Sequence, residues 1–289
     1  MVIKEEKEAT MKSGKRPEHL RIKRRDIKFD LEPLDRYFFG GHPYKTHFMN
    51  ALSTLFPIGE GQFIKSVMNF KDRIQEEERL EDINGFVGQE GAHSREHRHL
   101  NRLIGSLGYD LKPLDEDMED WARKESKKPF KKQLAKTICL EHFTAIMANA
   151  VLKNNFEIIK DMQPRIKAIW VWHAVEETEH KAVAFSVYKW VGGRYGMRAI
   201  TMLQSTRELM MRVRKRTRYF LKVDKEWNIK NRFEGFKFRW GKKGILSSCL
   251  REYFKFFRIG FHPWDIDNYH LVEEWKNRYE EDSQSILYM

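Results

Sequence analysis

The stretch Trp172–His180, WHAVEETEH, decides the fold. With about 100° of rotation per residue on an α-helix, His173, Glu177 and His180 fall within a ~60° sector of one face and can converge on one point. A second stretch, Glu90–His97, EGAHSREH, repeats the arrangement with Glu90, His93 and His97. Each stretch holds a Glu-x-x-His pair, Glu90 with His93 and Glu177 with His180.

Working outward, apolar residues at three- and four-residue intervals place both stretches on long helices. A first bundle helix starts at Glu60, after the Pro57 and Gly59 breaks, and runs through Phe63, Ile64, Val67 and Met68 to Ile74. The second spans residues 80–107 and stops at Gly108. The third spans 130–159 and packs through Leu134, Ile138, Phe143, Ile146 and Val151. The fourth spans 165–191 and ends at Gly192-Gly193. Between the second and third, GYDLKPLDEDMEDWARKESKKPFKK holds two prolines and no sustained core period, and reads as a long crossover. A helix over 197–220, a basic aromatic stretch, FHPWD as a structural corner and the amphipathic YHLVEEWKNRY follow. The expectation is an all-α chain: a basic flexible tail over 1–28, a ferritin-like metal-binding four-helix bundle over 29–195 with its long crossover between helices two and three, and a C-terminal helical extension over 196–289 packed on it.

The first and third helices carry single glutamates, Glu60 and Glu141, among apolar neighbours where an unpaired carboxylate is expensive to bury. Glu60, Glu90, Glu141 and Glu177 together carry four negative charges, which two divalent ions offset. One Glu from each of two helices and Glu-x-x-His from each of the other two is the pattern of dinuclear carboxylate bundles. Imidazole with carboxylate suits two iron ions, with manganese or a mixed iron/manganese pair as alternatives. His173 is the candidate seventh ligand. His97, Glu176 and His142 are candidates either for a further ligand or for orienting one from behind; Glu176 competes with Glu177 on angle alone, and His142 is the best suited to packing. His99, Glu96 and Glu179 point away and read as surface. The competing reading, in a chain that is 33% charged, is that all of these are solvated helix faces.

The segments FPIGE, FVGQEGAHSREHRHLN, LEHF, WHAVEETEHKAVAFSVY and FHPWD resemble the bacterial family described as predicted metal-dependent hydrolases, within the ferritin-like superfamily, from Phe29 onward. The His173, Glu177, His180 spacing is also similar to that of p-aminobenzoate N-oxygenase-type di-iron enzymes, whose third histidine adds to the ferritin set; His97 departs from that pattern. Two functions follow as expectations. The first is a di-iron oxidoreductase that activates oxygen to oxidise an apolar or amine-containing small molecule. The alternative is a metal-dependent hydrolase using a metal-bound hydroxide.

The chain's 289 residues, 41% of them hydrophobic, suffice for a large core. Its two cysteines form no CxxC pair, which argues against thiolate zinc and for a reducing compartment. Absence of a secretory signal and of an 18-residue apolar run leads to the expectation of a cytoplasmic protein, peripheral at most at the inner membrane face. The formal charge is +12, and residues 207–243 hold 14 Lys and Arg against 4 Asp and Glu. There Arg212, Arg214, Lys215, Arg216, Arg218, Lys237 and Arg239 alternate with aromatic rings, a composition suited to an anionic membrane surface or acidic substrate. Nucleic acid trails because no recognised motif is present. A further alternative is a basic membrane- or nucleic-acid-binding protein with a structural metal. The plain reading is a solvated helix followed by packing rings.

Overall fold

Apolar spacing and helix-start prolines produce an all-α fold in the computed structural model, which describes residues 15–153 and 156–281. Residues 1–14 of the expected tail and 282–289 of the extension fall outside these. Eleven α-helices follow in order: α1 (Pro43–Ser53), α2 (Phe56–Met68), α3 (Glu77–Ser106), α4 (Lys112–Ser126), α5 (Phe130–Leu152), α6 (Pro164–His180), α7 (Val183–Trp190), α8 (Tyr195–Val223), α9 (Ile229–Trp240), α10 (Leu250–Lys255) and α11 (Tyr269–Glu281). No strand occurs among the described residues, and none of their helices is long and apolar enough to cross a membrane.

The bundle is a ring of contacts in which α2 packs on α3, α3 on α6, α6 on α5 and α5 on α2. Proline opens α2, α4 and α6, where its missing N–H would have had no helical partner. That is why Pro57 does not delay the first bundle helix: α2 begins at Phe56 and carries Glu60 inside it. Gly108 and Gly192 take φ of +95° and +71° just past α3 and α7, as expected of C-terminal stops.

The 108–129 connection is not structureless. Its α4 buries Leu114, Met118, Trp121 and Glu125, one face at helical spacing, which the surrounding charges hide from a count of apolar residues. The third bundle helix ends at Leu152, and the fourth is interrupted after His180. At that break the Lys181 ammonium turns into the protein and donates to Ile266 O at 2.8 Å and Asn268 Oδ1 at 2.5 Å. FHPWD closes as a corner: Trp264 N donates to His262 Nδ1 at 3.2 Å, and His262 N to Asp265 Oδ2 at 3.1 Å.

Residues 15–28 are not a solvated tail. Leu20, Ile22 and Ile27 are buried in the core, and the Ile22 carbonyl lies so close to α3 that a Cβ on Gly85 would stand 2.1 Å from it. Behind α6 lie this segment and α11, so every residue from Ala168 to His180 is buried. The charged positions of α6 beyond Ala168 therefore have no water to face and must find their partners inside the protein.

Candidate metal centre

Four helices aim seven side chains at one region inside the ring. Glu60 comes from α2, Glu90 and His93 from α3, Glu141 from α5, and His173, Glu177 and His180 from α6, all nearly or fully buried. Their ligand atoms form two groups, Glu60 with His93 and His173, and Glu90 with Glu141, Glu177 and His180, each within 4.8 Å internally. Glu177 faces both: Oε1 is 2.9 Å from His173 Nε2, and Oε2 is 3.4 Å from His180 Nε2. Glu90 does likewise, with Oε1 3.2 Å from His180 Nε2 and Oε2 3.9 Å from His93 Nδ1. Two carboxylates thus span two nitrogen-containing groups.

Several polar atoms here lack partners. Glu60 Oε1, both oxygens of Glu90 and of Glu141, Glu177 Oε2 and His180 Nε2 are buried and find no hydrogen-bond partner among the described residues. A buried polar atom without a partner is unfavourable by roughly 1–3 kcal/mol, more when charged, and such atoms gathered at one point fit a cation held between them. Burial drives Glu60, Glu90 and Glu141 well above the usual carboxylate range, and Glu177 adds repulsion on each. Glu177 itself goes the other way, because His180 and His173 outweigh its burial and hold it well below. Burial alone would lower His180, yet Glu177 and Glu141 push it up to about 9. Left to themselves, the side chains settle this charge with protons, and divalent cations would displace those protons. The donors are oxygen and imidazole only, hard to borderline ligands of the kind that suit iron, manganese or zinc.

The histidines are oriented from behind. Asn101 Nδ2 donates to Ser53 O at 3.2 Å, so its Oδ1 accepts from Ser53 Oγ at 2.7 Å. Ser53 Oγ is then the acceptor for His97 Nδ1 at 3.0 Å, leaving His97 Nε2 to accept from His173 Nδ1 at 2.8 Å. This chain commits His173 Nδ1 to His97 and turns Nε2 toward Glu60 and Glu177, 3.9 and 2.9 Å away. His97 is accordingly a support for His173 rather than a member of either group. Gln89 serves His180: its Nε2 donates to Glu179 Oε2 at 2.8 Å, which turns Oε1 to His180 Nδ1 at 2.9 Å. His93 Nε2 stands 3.1 Å from Glu176 Oε2 but out of line for a hydrogen bond. Ser94 Oγ donates to Glu60 Oε2 at 2.8 Å.

Glu179 is not a surface residue, and neither is Glu176; both are fully buried. Arg25 binds Glu179 with both Nη atoms at 2.7 Å and reaches Glu176 Oε1 at 3.0 Å, while Lys276 Nζ stands 2.6 Å from Glu179 Oε1. Burial would raise Glu179, but Arg25 outweighs it; burial raises Glu176 to about 7 in spite of Arg25. Glu96 is also buried, paired with Arg95 at 2.7 Å, and His99 is partly buried with no part in the centre. His142 turns away from the centre to Glu252 O at 3.1 Å and packs on Phe256 and Phe261. Sequence reasoning missed Arg25, Gln89, Ser53, Ser94 and Lys276. The one available signal was that no Lys or Arg occurs between Lys167 and Lys181, unusual for a helix with a wet face.

The basic stretch divides. Arg216 is 1% exposed and structural, donating to Thr54 O and Leu114 O at 3.3 and 2.7 Å. Arg212 pairs with Asp117 and Glu208, and Lys215 stands 3.5 Å from Asp117. Arg218 lies over Trp227, Lys237 over Phe233 and Arg239 over Tyr44, and Arg214 is exposed. Only Arg216 is withdrawn from solvent, because its guanidinium serves backbone carbonyls.

An apolar cleft of about 650 Å³, counting its open mouth, lies between α2, α4, α5 and α8 with the buried Glu60 in its lining. A second pocket, sharing Phe56, Thr144 and Met147 with it, reaches His173 and Glu177. No curated protein and no solved structure matches the chain. The model of the family described as predicted metal-dependent hydrolase matches residues 23–267, and the chain belongs to that family.

Proposed function

We propose that this protein is a hydrolase acting through a pair of divalent ions at the bundle centre. The observation that carries the reading is the double-facing of Glu90 and Glu177 between two nitrogen-containing groups, one of which opens through Glu60 onto an apolar cleft. Membership of the family supports the reaction class. Glu60, His93 and His173 would hold one ion, Glu141 and His180 the other, and Glu90 and Glu177 would contact both. Such a pair, when bound, lowers the pKa of water and polarises a substrate carbonyl or phosphoryl oxygen. The chain's own contribution is to fix the lone pairs of His173 and His180 inward through His97 and Gln89, and to exclude water with Phe56, Phe86 and Trp172, whose rings lie 4.8–5.0 Å from His173, His180 and His93 respectively.

A second reading, an oxygen-dependent di-iron oxidoreductase, is favoured by one observation: the donors are four carboxylates and three imidazoles, a set hospitable to iron in either oxidation state. One experiment separates the two. Metal-free protein is loaded with zinc or with ferrous iron, and a panel of aryl esters, anilides and phosphate esters is assayed with and without oxygen. Hydrolysis with zinc in the absence of oxygen is the expected result. No hydrolysis with any metal, together with stoichiometric oxygen consumption by the ferrous form, would replace the first reading by the second.

A further inference from the structure

The cleft that Glu60 lines has an asymmetry of its own. Its walls are apolar, with Leu55, Phe63, Leu140, Phe143 and Trp121 among them, and its outer rim carries Lys136, Glu208 and Arg212. Lys136, Leu140 and Thr144 follow at four-residue steps along α5, so this wall runs about 12 Å at 1.5 Å per residue. From α8, Ser205, Glu208, Leu209 and Arg212 lie at helical spacing across the opening. Lys136 is 8% exposed, yet among the described residues its ammonium has Glu208 as its one charged partner, and Glu208 is shared with Arg212. Ser205 Oγ, fully buried in the same wall, finds no hydrogen-bonding nitrogen or oxygen among the described residues.

We propose that this cleft binds a single-chain amphiphile with a carboxylate head: the chain lies along the apolar wall toward Glu60, and the head takes the place of Glu208 on Lys136 and Arg212, within reach of Ser205 Oγ. Charge complementarity selects the head, since among the described residues four cations on this side of the cleft, Lys136, Arg212, Lys215 and Arg216, share two carboxylates, Glu208 and Asp117, and the rest of the wall offers an apolar chain nothing but contact. That such an amphiphile is the substrate rests on the proposed function and requires an ester or amide bond in the part of its chain that nears Glu60; that it binds does not.

Binding is therefore measured on metal-free protein by calorimetry, with no turnover required. Octanoate, decanoate and laurate are compared, with 1-dodecanol as the uncharged control. Affinity rises roughly fourfold per methylene until the cleft is filled, as about 0.8 kcal/mol per buried CH₂ dictates. Dodecanol binds at least tenfold more weakly than laurate, Lys136→Met weakens laurate by a similar factor, and Glu208→Gln strengthens it. Gly59→Leu plugs the cleft: a Cβ there meets nothing within 4 Å and leucine favours the helix, so the variant folds, keeps its metal stoichiometry and loses laurate binding. Equal binding of dodecanol and laurate, or laurate binding unchanged by Gly59→Leu, overturns the proposal. Laurate binding as described with no hydrolysis in the metal assays refutes the proposed function and leaves the cleft's occupant standing.

Discussion

Arg25→Met tests whether the outer support of the centre depends on one guanidinium from the N-terminal segment. Arg25 holds Glu179 through two 2.7 Å bonds and Glu176 through one of 3.0 Å, and both carboxylates are fully buried. Methionine keeps an apolar stem but removes the guanidinium, whose Cζ lies 5.5 Å from the centre of the Trp275 ring. Glu179 retains Lys276 and Gln89, whereas Glu176 is left with His93 alone. Breaking a buried pair from one side typically destabilises by about 3–5 kcal/mol; with Glu179 still partnered, about 3 kcal/mol is expected. For a chain of this size that lowers Tm by roughly 6 to 12 °C. Loss of a group that orients a ligand lowers metal affinity about 10- to 100-fold. Circular-dichroism melts of metal-free protein and chelator competition read the two effects. Arg24→Met is the control: its partner Asp26 is solvent-exposed, so its loss leaves the melting curve close to that of the wild type. Arg25→Met/Glu176→Gln should recover most of the lost stability by removing the stranded charge. An Arg25→Met protein that melts with the wild type and binds metal equally well would refute the argument.

Glu141→Ala and His180→Ala each keep the helical spectrum and lose one bound ion by metal analysis; if both retain the wild-type stoichiometry, the ligand assignment is wrong. Gly85→Ala forces a methyl against the Ile22 carbonyl and lowers stability by about 1–3 kcal/mol, whereas Gly91→Ala, with open space around its Cβ, gains about 0.5–1 kcal/mol; equal melting temperatures for the two variants would count against the docked N-terminal segment. Burial lowers His47 to about 4 although Asp224 stands beside it. Because the folded form resists protonation, this contribution to stability is complete above pH 6.5 and declines as pH falls toward 4, by on the order of 3 kcal/mol. Urea titrations at pH 7.5, 5.5 and 4.5 should show that decline in the wild type and a smaller one in His47→Gln; parallel curves would contradict it.

The convergence of the seven candidate side chains was legible in the sequence because helix geometry leaves few ways to aim a carboxylate and an imidazole at one point, and Glu-x-x-His is one of them. The four long helices were legible from their apolar period. What lay beyond was non-local. Arg25 meets Glu176 and Glu179 across 151 and 154 residues, and no local period encodes such a meeting. Glu179 looked like surface because a charged residue opposite a ligand face ordinarily meets water, and only the covering segments overturn that. In α4 a buried stripe of Leu114, Met118 and Trp121 was outnumbered by its acidic neighbours. The reaction stayed open because the same donors serve hydrolysis and oxidation, so the distinction lies in the metal and the cleft rather than in the motif.

Glu179 takes one cation from each end of the chain, Arg25 before the bundle and Lys276 after it. During synthesis, then, the bundle's four helices can leave the ribosome and pair long before this carboxylate has its second counter-charge. Until α11 docks, Glu179 has Arg25 as its one counter-charge among the described residues. Arg25 and Lys276 thus act as a clasp closed last, and a change that disturbs either one reaches the candidate ligand His180 through two hydrogen bonds.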